Sequence, residues 1–353
     1  MPRLNEHVNP IAPAAPAAEN RATDIERTRH FVFLLGTARS GTTWLGNILN
    51  SSPRSIYSHE PLVRYPDEEL LPVLKRIKKT GLATPDEREM VLHHWSRAYF
   101  DVRRPPFFTK DYSAWPAGVP WAAWLAVRAA GRGYNTFQRL FSPRNGARYD
   151  LVAKQGGLAV DGPNIVQALT PQVLIVIVRH PCAVIASLRR GQKLGLMARP
   201  SRDRWLDDHL PLIEGLGYGR RHAEAMSEAE FQSLAWLVEN YVYQKLHDTH
   251  PNAHIVPYDD LCRDPIGVTR SLFQAIGWDV TRQTHRFLCH TTLRRTNRLT
   301  SLVTAGHSYF SVYKSGEGTA DSWKRDLDQS EQDEILAIAR PLVERYWPEA
   351  LGQ

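Results

Sequence analysis

The feature that most constrains this 353-residue chain lies at residues 31–44, FVFLLGTARSGTTW. The apolar residues 31–35 predict a buried strand, Gly36 begins a glycine-containing turn, and a helix is predicted to open near Trp44. The backbone N–H groups of such a turn and the positive end of the helix dipole point at one place. The segment therefore predicts a cradle for a phosphate group.

The cradle differs from the loop that binds nucleoside triphosphates, in which a Lys follows the second Gly and the next hydroxyl holds Mg²⁺. In this chain Thr42 follows Gly41, and the cation is Arg39, inside the loop. Such a loop holds an anion but lacks the Lys that handles a metal-bound γ-phosphate. A tight turn that binds no ligand is the alternative interpretation, so further support must come from elsewhere in the chain.

The loop resembles the donor-binding loop x-P-[KR]-S-G-T-T-W of the sulfotransferases that use 3′-phosphoadenosine 5′-phosphosulfate (PAPS). PAPS carries its reactive group on a 5′-phosphate and has no γ-phosphate. The resemblance implies that the donor is contacted by Arg39, Ser40, Gly41, Thr42, Thr43 and Trp44. An aromatic face suits a purine, so Trp44 is the candidate that stacks on the adenine.

A second motif follows at residues 173–187, VLIVIVRHPCAVIAS. Its six apolar residues, 173–178, predict a strand buried on both faces of a parallel sheet. Nucleoside triphosphatases end the matching strand in an Asp that helps to hold Mg²⁺, whereas Arg179 follows it here. Ser187 lies about two turns into a helix predicted to begin near Pro181. This pattern resembles the sulfotransferase motif for the 3′-phosphate of PAPS; the alternative is an Arg that only extends to solvent.

Two further matches lie nearer the C-terminus. The segment YKSGEGTADSWKRDL, residues 313–327, resembles the family's R-K-G-x-x-G-x-W-K loop, which closes over the 3′-phosphate. By position, Lys314 and Gly316 would be its contacts. The segment HIVPYDDLCRDP, residues 254–265, resembles a strand that ends in Tyr-Glu-Asp-Leu, which makes Tyr258 a candidate to contact the adenine.

The resemblance also implies catalytic residues. Lys154 corresponds to a Lys that contacts the bridging oxygen in the tyrosylprotein branch, and Ser322 resembles that branch's C-terminal active-site Ser. Arg39, with the loop amides, would stabilise charge on the leaving 5′-phosphate. A hydroxyl acceptor also needs a base, and Glu60 stands where the tyrosylprotein and carbohydrate-type branches place their catalytic Glu. The neighbouring His59 is the alternative base.

The predicted fold is a P-loop-containing three-layer α/β fold, in which helices flank a central parallel sheet and helical insertions are added. The length favours one large domain over residues 29–353 rather than two equal ones. Residues 1–28 are predicted to be a disordered Pro/Ala-rich tail.

Three other stretches carry structural predictions. Residues 62–150, rich in Trp, Pro and Arg, are expected to form an insertion, either a packed helical subdomain or an acceptor-binding cap. Residues 192–235 contain several glycines and are a candidate mobile lid. The stretch 330–347 has helical periodicity, with Ser330 as its predicted N-cap.

Composition excludes several classes of function. The three cysteines have no metal-type spacing and cannot form a disulfide framework, so a reducing cytosol is the expected compartment. No apolar run approaches the roughly 18 residues of a membrane span. The net charge of +7 comes from dispersed basic residues without a nucleic-acid motif, and a highly anionic co-substrate explains its sign.

The sequence therefore predicts a cytoplasmic, bacterial-type sulfotransferase that moves a sulfuryl group from PAPS to a hydroxyl by in-line displacement, uses no metal and releases PAP. A saccharide, a small molecule, a lipid and a peptide all remain open as the acceptor, and so does the oligomeric state. A P-loop kinase or NTPase is the first alternative, disfavoured by Thr42 and Arg179. A PAP-binding protein without catalysis is the second, disfavoured by the presence of Arg39, Lys154, Arg179 and Ser187.

Overall fold

A single parallel sheet organises the chain. The computed structural model describes residues 28–64, 69–96, 106–113, 116, 118–130, 148–198, 201–292 and 321–351. The strands within these residues are β1 (Thr28–Gly36), β2 (Ser55–His59), β3 (Tyr149–Gln155), β4 (Val173–Val178) and β5 (Ala253–Pro257). They lie in the order β2-β3-β1-β4-β5, and each neighbouring pair is parallel.

Helices connect the strands and cover the sheet. The helices before β4 are α1 (Thr42–Asn50), α2 (Pro61–Arg64), α3 (Leu70–Thr80), α4 (Pro85–Trp95), α5 (Gly118–Ala130) and α6 (Gly162–Leu169). Those after β4 are α7 (Pro181–Lys193), α8 (Arg202–Gly215), α9 (Arg220–Ala225), α10 (Glu228–Thr249), α11 (Tyr258–Arg263), α12 (Pro265–Ile276), α13 (Arg282–Thr292) and α14 (Gln329–Tyr346). Two short 3₁₀ turns, Ser322–Arg325 and Pro348–Leu351, flank α14.

The strands are apolar on both faces because both faces are covered. Phe31 and Phe33 of β1 lie in a buried cluster that includes residues of α3, α4, α10 and α14. Val32 and Leu34, which alternate with them, lie in a second cluster with residues of α1, α12 and α13. Side chains of a strand alternate between its faces, so the two clusters are the two helix–sheet interfaces of three layers. The predicted three-layer α/β fold is confirmed.

The carboxyl ends of all five strands meet at one edge of the sheet, since the strands are parallel. From β1 the order runs outward to β3 and β2 on one side and to β4 and β5 on the other. The turn after β1 therefore lies where the strand order reverses, and open α/β sheets bind ligands in the crevice at that point.

The structure corrects one helix boundary. Helix α14 begins at Gln329, and its N-cap is Asp328, whose side chain accepts a hydrogen bond from the N–H of Glu331. The Glu331 carboxylate in turn accepts from the N–H of Asp328. This reciprocal capping box stabilises the earlier start, so the predicted N-cap at Ser330 was wrong.

The predicted tail, insertion and lid fall partly outside the described residues. Thr28, the last residue of the predicted tail, is the first residue of β1. Helices α3 to α5, and α2 apart from its first residue, lie within the predicted insertion 62–150, whose last two residues begin β3. Helices α8 and α9 and the first residues of α10 lie within 192–235, and movement of this region stays a prediction. No helix in the described part of the chain has the length and apolar character needed to cross a membrane.

Candidate active site

The turn between β1 and α1 has the backbone of an anion cradle. Arg39 and Gly41 both adopt left-handed conformations, with φ of 70° and 103°. Ser40 is fully buried, and both its N–H and its hydroxyl donate to the carbonyl of Thr37, at 3.1 and 2.8 Å. Left-handed residues beside right-handed ones turn successive N–H groups toward one concave side, and α1 adds the positive end of its dipole.

The residues predicted to contact the two phosphates of PAPS lie together. The Arg39 Nε donates to the Ser187 hydroxyl at 3.0 Å, which joins the cradle to α7. Nη1 of Arg179 donates a hydrogen bond to the Arg39 carbonyl at 3.0 Å, which joins the cradle to the end of β4. The indole of Trp236 donates to the Arg179 carbonyl at 3.1 Å and fixes the backbone at that strand end. Two guanidinium groups therefore converge at the carboxyl edge.

The two predicted adenine contacts also meet at this edge. The rings of Trp44 and Tyr258 lie edge to face with their centroids 6.0 Å apart, and the Trp44 indole donates to the Thr291 hydroxyl at 3.2 Å. The Arg179 guanidinium lies 4.4 Å from the centroid of the Tyr258 ring, which is a cation–π contact. A Cβ on Gly41 would lie 2.5 Å from the Tyr258 ring, so a glycine is required by contact as well as by φ.

The predicted base and the predicted catalytic lysine form an ion pair. The Lys154 ammonium donates to Oε1 of Glu60, and the Glu60 N–H donates to the Lys154 carbonyl at 2.7 Å. Lys154 is 4% exposed and Glu60 is partly exposed. Glu60 has a φ of 50°, a conformation that is costly for a residue with a Cβ and that is found at functional sites. Lys154 is paired in register with Leu34, two residues before the cradle begins.

The alternative base, His59, lies behind the carboxylate. Its Nε2 is 3.8 Å from Oε1 of Glu60, and its Nδ1 is 2.9 Å from the hydroxyl of Tyr57. His59 is the register partner of Lys154 on β3. The imidazole is buried, whereas the Glu60 carboxylate is partly exposed, so the carboxylate is the more accessible of the two candidate bases.

The C-terminal segment reaches the end of β4. Ser322 begins a 3₁₀ turn, and the following Trp323 stacks on the ring of His180 with centroids 4.7 Å apart. Burial, assisted by the nearby cation Lys324, lowers the pKa of His180 to about 4. His180 directly follows Arg179, so the turn that carries Ser322 packs beside the predicted 3′-phosphate site. The other two predicted contacts of this region, Lys314 and Gly316, lie outside the described residues.

A second acidic group near Lys154, Glu239, was missed in the sequence. The Glu239 carboxylate on α10 accepts hydrogen bonds from the Gly157 N–H at 2.8 Å and from the Tyr243 hydroxyl at 2.6 Å. The Tyr243 oxygen accepts from the Leu158 N–H at 3.1 Å. Burial raises the pKa of Glu239 to about 7, against the opposing influence of these hydrogen bonds and of Lys154. In the sequence, a single Glu within the apolar run SLAWLVENYV could have indicated this buried carboxylate.

Comparisons with solved structures find sulfotransferases. The sulfotransferase domain of the Synechococcus PCC 7002 olefin synthase is 18% identical, with a TM-score of 0.42, over 90% of this chain and 95% of that one. The sulfotransferase domain of the curacin biosynthetic pathway is 18% identical, with a TM-score of 0.42, over 88% and 97%. Sulfotransferase STF9 of Mycobacterium avium is 11% identical, with a TM-score of 0.40, over 93% and 80%.

The comparison with family models shows the family of the chain, which these remote likenesses do not. No curated protein sequence matches the chain. The model of the Sulfotransferase family matches residues 32–282, which is more than half of the chain and runs from β1 into α13. The matched region contains the cradle, the Glu60–Lys154 pair, Arg179 and Tyr258. The chain therefore belongs to the sulfotransferase family.

Proposed function

We propose that this protein transfers the sulfuryl group of PAPS to a hydroxyl acceptor by in-line displacement, with Glu60 as the general base. The observation that carries the proposal is the Glu60–Lys154 ion pair, located at the same sheet edge as the cradle and Arg179. A base, a cation for the reacting group and cations for the donor phosphates are the parts that sulfuryl transfer requires.

The donor would lie across the ends of β1 and β4. The cradle residues Gly41 to Thr43 and Arg39 would hold the 5′-phosphate, and Arg179 with Ser187 would hold the 3′-phosphate. Ser40, whose N–H and hydroxyl both donate to the Thr37 carbonyl, would shape the loop. Both phosphates of PAPS are attached to one ribose, so their sites must be adjacent. The hydrogen bond from Arg39 to Ser187 and the one from Arg179 to Arg39 support that arrangement. Trp44 and Tyr258 would contact the adenine through their rings.

Lys154 and Glu60 would divide the chemistry between them. In the free protein the Lys154 ammonium stabilises the ionised Glu60 carboxylate, which is the form that accepts a proton. With PAPS bound, the ammonium would donate to the oxygen that bridges phosphorus and sulfur, where negative charge grows as the S–O bond breaks. The carboxylate would then take the proton of the attacking hydroxyl. The sulfuryl group goes to the acceptor oxygen, and the bonding electron pair leaves with PAP.

The chain lacks two residue types that triphosphate chemistry uses at this edge. Thr42 stands where a nucleoside triphosphatase has its phosphate-binding Lys, and Arg179 stands where it has a magnesium-binding Asp. A sulfuryl group carries less negative charge than a phosphoryl group, so cations and N–H donors can neutralise its transfer. These substitutions favour PAPS over ATP with Mg²⁺ as the donor.

The test is incubation of the whole chain with PAPS and a panel of hydroxyl acceptors comprising saccharides, phenols, lipids and tyrosine peptides. Mass spectrometry should detect a sulfated product with PAPS and no phosphorylated product with ATP and Mg²⁺, and turnover should persist in EDTA. Phosphorylation by ATP would establish the kinase alternative. Binding of PAP without sulfation of any acceptor would favour the catalytically inactive binding protein.

A further inference from the structure

Two buried aromatic side chains lie directly behind the proposed base. Tyr57 and His59 are two residues apart on β2, so they project from the same face of the strand. Each is 2% exposed. The Tyr57 hydroxyl is 2.9 Å from Nδ1 of His59, and Nε2 of His59 is 3.8 Å from Oε1 of Glu60. The three side chains therefore form a row that begins in the core and ends at the carboxylate.

Helix α1, which follows the cradle, packs against Tyr57, the first residue of the row. A Cβ on Gly46, in α1, would lie 2.6 Å from the Tyr57 hydroxyl oxygen. Because the residue is a glycine, α1 can lie against the phenol and leave room for its hydroxyl. The position of Tyr57 is thus set by α1, and the position of His59 is set in turn by Tyr57.

The contact at Nδ1 determines whether Nε2 presents a hydrogen or a lone pair to Glu60. If the Tyr57 hydroxyl donates to Nδ1, the ring hydrogen is on Nε2 and is directed toward a carboxylate oxygen, which is attractive. If Nδ1 instead donates to the phenol oxygen, a neutral His59 presents a nitrogen lone pair to the ionised carboxylate, which is repulsive. The first tautomer is therefore favoured. At 3.8 Å its attraction to Glu60 is electrostatic, since a hydrogen bond would be shorter.

We propose that Tyr57 and His59 are positioning residues that hold the Glu60 carboxylate for proton transfer, and that His59 is not itself the base. The proposal rests on the proposed function, since it concerns the base of that reaction. Lys154 and Nε2 of His59 approach the same oxygen, Oε1, so together they restrict the movement of that oxygen. Outer partners that orient metal ligands commonly alter activity by roughly 10- to 100-fold, and we expect an effect of about the lower size for a positioned base.

The test uses variants that remove polar atoms and leave the core filled. Tyr57→Phe deletes only the hydroxyl, and His59→Leu removes both ring nitrogens. Each should lower kcat roughly tenfold while the KM for PAPS and the affinity for PAP stay within about twofold of wild type. His59→Gln, which retains an N–H donor, should recover most of the lost kcat. Tyr346→Phe is the matched control, because its hydroxyl bonds Gln244 on α10 rather than a group of this row.

A double variant separates positioning from direct catalysis. If His59 acts through Glu60, then His59→Leu should cause no further loss of kcat in a Glu60→Gln background, because interacting residues are not additive. A further loss equal to that seen in the wild-type background would overturn the proposal. So would wild-type kcat in both Tyr57→Phe and His59→Leu.

The same assays separate this inference from the proposed function. Failure of the wild-type chain to transfer a sulfuryl group from PAPS would overturn both. An active wild type, an inactive Glu60→Gln variant and fully active Tyr57→Phe and His59→Leu variants would overturn the positioning role alone. Each variant is checked for folding by its thermal stabilisation with PAP, so that a loss of kcat is measured on folded protein.

Discussion

Lys154 and Glu60 form an ion pair across the carboxyl ends of β3 and β2, although 94 residues separate them in the chain. The backbones of the two residues are also hydrogen-bonded, because the Glu60 N–H donates to the Lys154 carbonyl. Lys154 is buried. Burial of a charge costs desolvation free energy, and pairing with an opposite charge offsets part of that cost. A carboxylate and a cation thus lie together beside the cradle.

Replacement of Lys154 by Met, which keeps most of the side-chain volume, should mainly lower kcat. The ammonium is expected to stabilise charge that grows on the bridging oxygen, and loss of such a donor typically costs roughly 10²- to 10³-fold in kcat. The KM for PAPS should change little, as steady-state kinetics can measure. Lys78→Met is the matched control, since Lys78 is partly exposed and is paired with Asp161, at 2.9 Å, rather than with a group of the proposed site. A change confined to the KM for PAPS would contradict the catalytic role of Lys154.

Arg179→Ala should instead weaken donor binding. The change removes a proposed phosphate contact and the hydrogen bond to the Arg39 carbonyl. Hydrogen bonds to charged groups contribute about 1.5–3 kcal/mol, so calorimetry should find PAP affinity reduced roughly 10- to 150-fold. Arg263→Ala is the control, because Arg263 is highly exposed and is paired with Asp260 of its own helix. Unchanged PAP affinity in Arg179→Ala would remove Arg179 from the donor site.

PAP should stabilise the protein against heat more than ATP with Mg²⁺ does at the same concentration. Two phosphates in a 3′,5′ arrangement would match the two proposed arginine sites, whereas ATP has no 3′-phosphate. A ligand at about 100 times its Kd adds about 2.7 kcal/mol to the free energy of unfolding, which thermal denaturation can detect. Adenosine 5′-monophosphate is the matched ligand that lacks only the 3′-phosphate, and it should give the smaller shift. An equal shift from both monophosphate and PAP would contradict a 3′-phosphate site.

The free energy of unfolding should fall in mild acid because of the lowered pKa of His180. Burial beside Lys324 and Arg179 lowers its pKa to about 4, from an ordinary value of 6.5. Between these values the unfolded chain binds a proton that the folded chain does not, so stability is fully present above pH 6.5 and is lost as pH falls toward 4. The loss reaches about 3 kcal/mol for a shift of this size.

Urea unfolding of wild type and His180→Phe at several pH values between 4 and 7 checks this expectation. The phenyl ring preserves stacking on Trp323 but cannot titrate, so the variant should lose less stability on acidification. Titration of other groups, including Glu239, cancels in the difference between the two proteins. Parallel stability curves would show that His180 does not titrate in this window.

Much of the fold follows from local patterns in the sequence. The run at 173–178 predicts β4 with its observed bounds, because six consecutive apolar residues fit a strand covered on both faces. The predicted strand at 254–257 lies within β5, which begins one residue earlier. Each of these strands is defined by its own residues and needs no information about its partners.

Strands β2 and β3 could not be predicted in the same way. Both are fully buried, yet they contain polar residues such as His59, Asp150 and Lys154, which mask the apolar pattern. Their polar groups are accommodated by partners far away in the chain. Asp150, for example, lies 3.3 Å from Arg54 and accepts a hydrogen bond from the Trp278 indole at 2.6 Å.

The residues of the candidate site likewise differ in whether the sequence could predict their positions. The cradle can be predicted because its residues are contiguous, and Arg179 can be predicted because it follows a recognisable strand. The pairing of Glu60 with Lys154 depends on the register of two strands, and the row from Tyr57 to Glu60 depends on where α1 lies. The sequence alone left His59 and Glu60 as alternative bases, whereas their positions in the structure favour the more exposed carboxylate.

Single-turnover transfer from PAPS by wild type and Glu60→Gln, with PAP affinity measured on both proteins, tests the central claim most directly. Gln keeps the size of Glu but cannot accept a full proton, so the rate should fall by roughly 10²- to 10⁴-fold. PAP affinity should stay within about twofold, because the carboxylate is proposed to contact the acceptor rather than the donor. Glu344→Gln, which alters an exposed ion pair on α14, should behave as wild type. A Glu60→Gln variant that transfers the sulfuryl group at the wild-type rate would contradict the account.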